Sequence, residues 1–211
     1  MSLVRPPIPS LDWAHPEAIR LVDAEVAFFV EKRRIRSAKT RREYARTFAA
    51  FRAFLARACV PPTVTALTPE TLTAYADELE SRAARDCRRH VELDHGLTPA
   101  SVSGYLRPLK TLCRYLVRRG ALSGNPFDAT IDPLIPAVED APFKVARADD
   151  VARIFAAIRG EDPLALRDRA LVVLDWDTGL RTEELARLAL SDLDLGTCTL
   201  RIREPKNGRR V

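Results

Sequence analysis

The residues of this chain that could do chemistry fall into four groups. The first is the run Thr178-Gly179-Leu180-Arg181-Thr182-Glu183-Glu184-Leu185. Here an arginine follows a glycine that stops one helix and stands at the start of the next. Such a backbone directs the arginine away from the packed core. The helix start adds N–H groups without intrahelical acceptors and the positive end of a dipole. Together these favour a bound phosphate. Glu184, one turn on, is spaced to hold the guanidinium. On spacing alone, an ordinary exposed arginine at a helix start looks the same. The second group is Lys206, at the tip of Pro205-Lys206-Asn207-Gly208. Asn-Gly is a strong hairpin signal, but a turn lysine by itself is only polar surface.

The third group is a pair of cationic helix stripes. Lys39, Arg42 and Arg46 recur at i, i+3, i+7; Arg107, Lys110, Arg114 and Arg118 recur at i, i+3, i+7, i+11. Each stripe lies opposite an apolar one. Two such helices in one small domain could straddle a duplex and neutralise its phosphates. Either stripe taken singly reads as a solvated helix face; two within one positively charged region point to nucleic acid. The fourth group is Cys87, His90 and His95, three candidates at irregular spacing where a zinc site wants four N/S ligands or three plus water. They read as a polar surface loop, with no metal. The sequence carries no Gly-rich phosphate loop, no HExxH and no Ser/His/Asp nucleophile context.

The elements that must position these groups are mostly helices. Met1–Pro16 reads as an extended arm, since Pro6, Pro7 and Pro9 oppose helix. Leu21–Arg34 is the first predicted helix, with Val22, Val26, Phe29 and Val30 as its apolar stripe. The second runs from Ser37 to Arg57 with Tyr44, Phe48, Phe51 and Leu55 inward, and Pro61-Pro62 follow it. Thr68-Pro69-Glu70 opens the third, which extends to about Arg85, by an N-cap threonine and a first-turn proline. Residues 84–96 read as a polar loop. Thr98-Pro99 opens the fourth, with Val102, Leu106, Leu109, Cys113 and Leu116 inward, a kink expected at Pro108, and Gly120 as its stop.

Asn125 to Pro142 is proline-rich without a helical period and reads as an interdomain linker. Beyond it the spacing predicts a helix over 149–158 with Val151, Ile154, Phe155 and Ile158 buried. Another runs from Asp162-Pro163 to Gly179, a C′ glycine, and a third starts at Arg181–Thr182. The period then changes to two: Cys198, Leu200 and Ile202 alternate with Thr199, Arg201 and Arg203, a half-buried strand leading to the Lys206 turn. The domains expected are therefore an arm (1–16), a helical DNA-binding domain (17–125), a linker (126–142) and an incomplete second domain (143–211).

Composition agrees with a globular protein. Of 211 residues 46% are hydrophobic and 30% charged, and the net charge is +5. The charge is uneven: residues 1–130 hold 21 Lys+Arg against 14 Asp+Glu, while the remainder holds 13 against 15. The positive excess thus sits with the two stripes, as a phosphate-binding part requires. The four cysteines form no CxxC pair or dense framework, which predicts reduced thiols in a cytoplasmic protein. No apolar run approaches the ~20 residues of a membrane span, so no membrane partner is expected.

The order of these features resembles one family, the tyrosine recombinases or phage integrases. The carriers are Thr40-x-x-x-Tyr44 with Phe51 and Phe54-Leu55; Leu106-x-x-Leu109-Lys110-x-x-x-Arg114-Tyr115-Leu116 with Gly120 and Asn125-Pro126; then Thr178-Gly179-Leu180-Arg181-x-x-Glu184-Leu185, Asp192, a strand and Lys206. The resemblance spans residues 21–211, and the Arg181 block is its most specific part. It implies a mainly α chain: a four-helix, SAM-like core-binding domain plus the start of an α+β catalytic domain with a β-hairpin. It implies site-specific recombination or integration of double-stranded DNA at an attachment or recombination site. A tyrosine would attack the scissile phosphate to give a 3′-phosphotyrosine and a 5′-hydroxyl, with no metal or other cofactor. By resemblance Arg181 stabilises charge on the phosphoryl oxygens, Glu184 supports it, and Lys206 is general acid to the leaving oxygen. The two cationic helices lie on DNA, and four protomers synapse two duplexes. The family's His-x-x-Arg motif and nucleophilic tyrosine are not found in these residues. Tyr44, Tyr75, Tyr105 and Tyr115 all fall in the helical part. The expectation is a DNA-binding chain inactive by itself, either part of a recombinase or a truncated integrase that binds without cutting.

Overall fold

The computed structural model describes residues 10–31, 37–86, 91–130, 132–137 and 145–203, with residues 83–86 and 91–95 described by backbone alone. It divides into two compact units, Met1–Asp140 and Ala141–Val211. Its described residues are mainly helical with two small antiparallel sheets, the mainly-α class with a β-hairpin that the sequence implies. No described helix is long and apolar enough to cross a membrane.

The first unit packs four helices: α1 (Leu21–Glu31), α2 (Ala38–Arg57), α3 (Pro69–Ser81) and α4 (Pro99–Arg118). Their starts follow from the caps. The side chains of Ser37, Thr68 and Thr98 accept the backbone N–H three residues on, from Thr40, Thr71 and Ser101. Prolines fill the first helical positions of α3 and α4, where no N–H is needed. Gly120, at φ +76°, follows α4, a conformation that favours glycine. The inward residues of α2 and α4 are those the spacing predicts: Phe48, Phe51, Leu55, Val102, Leu106, Leu109, Cys113 and Leu116 are all buried. Burial pushes the Cys113 thiol up to about 12, as for a side chain that packs rather than reacts. α4 continues through Pro108 from Pro99 to Arg118 without interruption.

Three expectations change. In α1 the buried side is Leu21, Ala24, Glu25, Ala27 and Phe28, while Val22 and Val26 are exposed. The helix carries two apolar stripes, and small alanines let α1 approach its neighbours more closely than a valine stripe would. Glu25 on this buried side pairs with Arg52 of α2; burial raises its carboxyl above the ordinary range despite that partner. Residues 84–96 are not a loop throughout: strands β1 (Ala83–Asp86) and β2 (Val91–Gly96) pair antiparallel, with Arg85 opposite Glu92 and an irregularity near Ala83. Alternation in Val91-Glu92-Leu93-Asp94 is the period-two signal that charge density obscures. Gly96 is required there, because a Cβ would lie 2.1 Å from the carbonyl oxygen of Glu80. Third, the chain beyond Asn125 does not leave the unit at once. Pro126–Asp128 forms a 3-10 turn, Asn125 accepts the Phe127 N–H at 3.2 Å, and Phe127 is buried in the core, with Leu134 and Ile135 packed against it.

The second unit contains α5 (Ala148–Ala157), α6 (Pro163–Thr178), α7 (Thr182–Leu185) and a hairpin of β3 (Leu193–Asp194) with β4 (Thr199–Leu200). The inward face expected of α5 is not covered: Ile154 and Phe155 are exposed, and Val151 and Ile158 are half-buried. Leu164, Leu166, Val173 and Trp176 of α6 are exposed as well. Cys198 does not join the inward face of β4. It is exposed at φ +51°, the last residue of the turn. In that turn the Asp194 carboxylate accepts the N–H groups of Gly196 and Thr197 at 2.9 and 3.1 Å.

Candidate functional site

The corner between α6 and α7 is built from local devices. Asp162 caps α6 by accepting the Leu164 and Ala165 N–H groups at 2.9 and 3.2 Å. α6 ends on Gly179 at φ +60°, whose N–H donates to the Asp175 carbonyl at 2.9 Å. Leu180 turns inward and is buried. Arg181 follows in extended geometry as the residue that caps α7. The Glu184 carboxylate accepts both the Arg181 backbone N–H at 3.0 Å and its Nη1 at 3.2 Å. One carboxylate therefore caps the helix and orients the guanidinium. The Arg181 side chain is 58% exposed while that of Glu184 is 10% exposed. The result is a cation held from behind and exposed to solvent, an arrangement that can meet two oxygens of an oxyanion in two-pronged fashion.

Sequence spacing misses the group that joins this corner to the hairpin. Asp192 has a side chain only 2% exposed. It accepts the Ala189 N–H at 3.0 Å and Nε of Arg203, and Arg203 Nη2 donates to Ser191 Oγ at 2.7 Å. The Asp192 carbonyl also takes the Arg201 N–H at 2.9 Å. Arg203, with the Ala189 N–H, holds the Asp192 carboxyl below the ordinary carboxylate range. These contacts fasten the segment after α7 to residues 201–203, which follow β4. Together they line a cleft of about 230 Å³ whose wall includes Glu184, Arg187 and Arg201. The resemblance includes Asp192, but its pairing with Arg203 rests on burial, which a single sequence does not show. Lys206 and its Asn-Gly turn lie outside the described residues.

In the first unit the cationic stripes occupy exposed faces with different company. Lys39, Arg42 and Arg46 are exposed on α2. The Arg46 guanidinium lies over the Tyr105 ring of α4 at 5.6 Å and pairs with Glu43 at 2.9 Å. Arg57, on the same side of α2, pairs with Glu78 of α3 at 2.6 Å. Arg107, Arg114 and Arg118 are exposed on α4. Lys110 is not comparable to them. Its side chain is 26% exposed, its Nζ donates to Asp128 at 2.8 Å and it lies over the Phe127 ring. The α2 and α4 helices pack directly on each other, so both stripes belong to one rigid body.

The four tyrosines serve the core. Tyr75 and Tyr115 are buried, and the Tyr75 hydroxyl has no hydrogen-bond partner among the described residues. Burial pushes Tyr115 up to about 12 and Tyr75 further still. Tyr44 stacks with Phe28 and Tyr105 takes the Arg46 cation. Cys87 and His90 lie outside the described residues, as does the His95 side chain.

Residues 144–211 match the phage integrase family model. Over this stretch the chain is similar to the phage integrases. Among similar proteins are tyrosine recombinase XerD of Listeria innocua serovar 6a (34% identity, 47% of this chain and 33% of that protein) and tyrosine recombinase XerC of Salmonella typhi (39%, 48% and 33%). A longer match is to tyrosine recombinase XerC of Lacticaseibacillus casei (29% identity, 68% of this chain and 53% of that protein). The chain thus spans about a third to a half of the length of the curated relatives it matches. No solved structure matches.

Proposed function

We propose that this chain takes part in site-specific DNA recombination: its first unit grips duplex DNA through the α2 and α4 faces, and Arg181 of its second unit receives a backbone phosphate. The observation that carries this is the Arg181–Glu184 corner, exposed and pre-oriented inside the region that matches the family. A guanidinium already fixed by a buried carboxylate loses little freedom on meeting phosphoryl oxygens. It is also aimed where charge grows as a phosphate is attacked. Lys206, three residues beyond the Asp192–Arg203 clasp, is the general acid of this reading. Lys39, Arg42, Arg46, Arg107, Arg114 and Arg118 contact phosphates, and the bound partner is an attachment or recombination site on double-stranded DNA.

A second reading, DNA occupancy without cutting by these 211 residues, is favoured by the tyrosines. All four sit in the helical unit, Tyr75 and Tyr115 buried in its core and Tyr44 and Tyr105 packed against it. The experiment is duplex binding as a function of salt, with Arg107→Ala/Arg114→Ala and Arg181→Ala beside the parent. Each lost phosphate contact should lower the log–log salt slope by about 0.9. Absence of salt-dependent binding by a folded parent would refute the DNA reading. A covalent adduct between DNA and any of the four tyrosines would refute the second reading.

A further inference from the structure

We infer that Asp128 is a residue that sets DNA affinity, standing where a phosphate would stand on Lys110 and withholding that lysine from the duplex; this rests on the DNA reading above. Four observations converge. The Asp128 carboxylate accepts from Lys110 Nζ at 2.8 Å. It is rigidly offered, since the 3-10 turn that carries it is anchored by buried Phe127 and capped by Asn125. Lys110 is the least exposed cation of its stripe, its ammonium over the Phe127 ring at 6.0 Å, whereas Arg107, Arg114 and Arg118 are exposed. Arg114 also feels the same carboxylate: Lys110 first, and Arg114 with it, holds Asp128 below the ordinary range.

A carboxylate and a phosphate are alternative partners for one ammonium, and a duplex phosphate approaching Lys110 meets a fixed negative charge within hydrogen-bond distance of it. The grip of α4 therefore comes from the three arginines, and the centre of the stripe is electrically silent. A silent centre lowers sequence-independent binding, the component that counterion release supplies, while leaving base contacts untouched.

The test is duplex binding by the full chain against salt. Asp128→Asn, which keeps the shape of the turn, should bind about fivefold more tightly at moderate salt, with a log–log slope steeper by about 0.9. Adding Lys110→Ala to Asp128→Asn should abolish both gains. Asp77→Asn, an equal change of charge on the exposed side of α3, should give neither. Binding by Asp128→Asn that is unchanged or weaker, or a gain matched by Asp77→Asn, overturns the inference while the DNA reading stands. A folded parent without salt-dependent binding overturns both.

Discussion

Gly179 is where backbone conformation and candidate chemistry meet most directly. It sits at φ +60° between α6 and the arginine that caps α7, and a Cβ built on it meets nothing within 4 Å. The cost of a side chain there is thus conformational rather than steric. A non-glycine residue in the left-handed region costs about 1–2 kcal/mol, and asparagine pays less because it visits that region readily. A β-branched residue costs more still. The expected order of destabilisation is Asn, then Ala, then Val. Backbone opening at residues 179–186 should be about fivefold more frequent in Gly179→Ala, since 1 kcal/mol corresponds to about that factor, and less affected in Gly179→Asn. Amide hydrogen exchange reads this directly. If Gly179→Asn opens the corner as much as Gly179→Val while Gly179→Ala is silent, side-chain size governs and the argument from φ fails.

Two further outcomes are expected. A fragment ending at Asn125 should be less stable than one ending at Ala137 by about 2–3 kcal/mol, the worth of burying a phenylalanine, because Phe127 belongs to the first core; coincident denaturant midpoints would show that it does not. The β3–β4 hairpin should weaken in acid: Asp192 and Asp194 both have carboxyls held below the ordinary value of 3.8, so their stabilisation is complete above that value and is lost as pH falls through their lower folded values. Exchange rates corrected for intrinsic pH effects should rise there in the parent, and Asp192→Asn should flatten the rise; a flat parent profile refutes the assignment.

Helix starts and stops were legible because they are local. Thr68-Pro69, Thr98-Pro99, Asp162-Pro163 and Gly179 act within one turn, and each is found where its chemistry puts it. The Arg181–Glu184 contact was legible for the same reason, since three residues of helix fix the distance. What escaped depends on neighbours far along the chain. Which of the two stripes of α1 is buried depends on its packing against α2 and α4, where Glu25 meets Arg52, twenty-seven residues away. That Lys110 is occupied depends on Asp128, eighteen residues on. The Asp192–Arg203 clasp spans eleven. The β1–β2 ribbon was hidden because charged residues interrupt the apolar signal on which alternation is read.

The two units solve the problem of presenting cations in different ways. In the first, a continuous core from Ile19 to Phe127 holds α2 and α4 against each other, so the charged faces inherit the rigidity of the packing beneath them. In the second, the buried described residues are only Ala165, Leu180 and Asp192, and large apolar side chains of α5 and α6 are exposed. Extended apolar surface of that kind calls for cover. Yet the Arg181 corner is defined, because a left-handed glycine, one inward leucine and one carboxylate with two acceptor oxygens fix it without help from a core. Additional packing over α5 and α6 can then stabilise the unit without rearranging the guanidinium. This separation lets the position of Arg181 be set by a handful of adjacent residues.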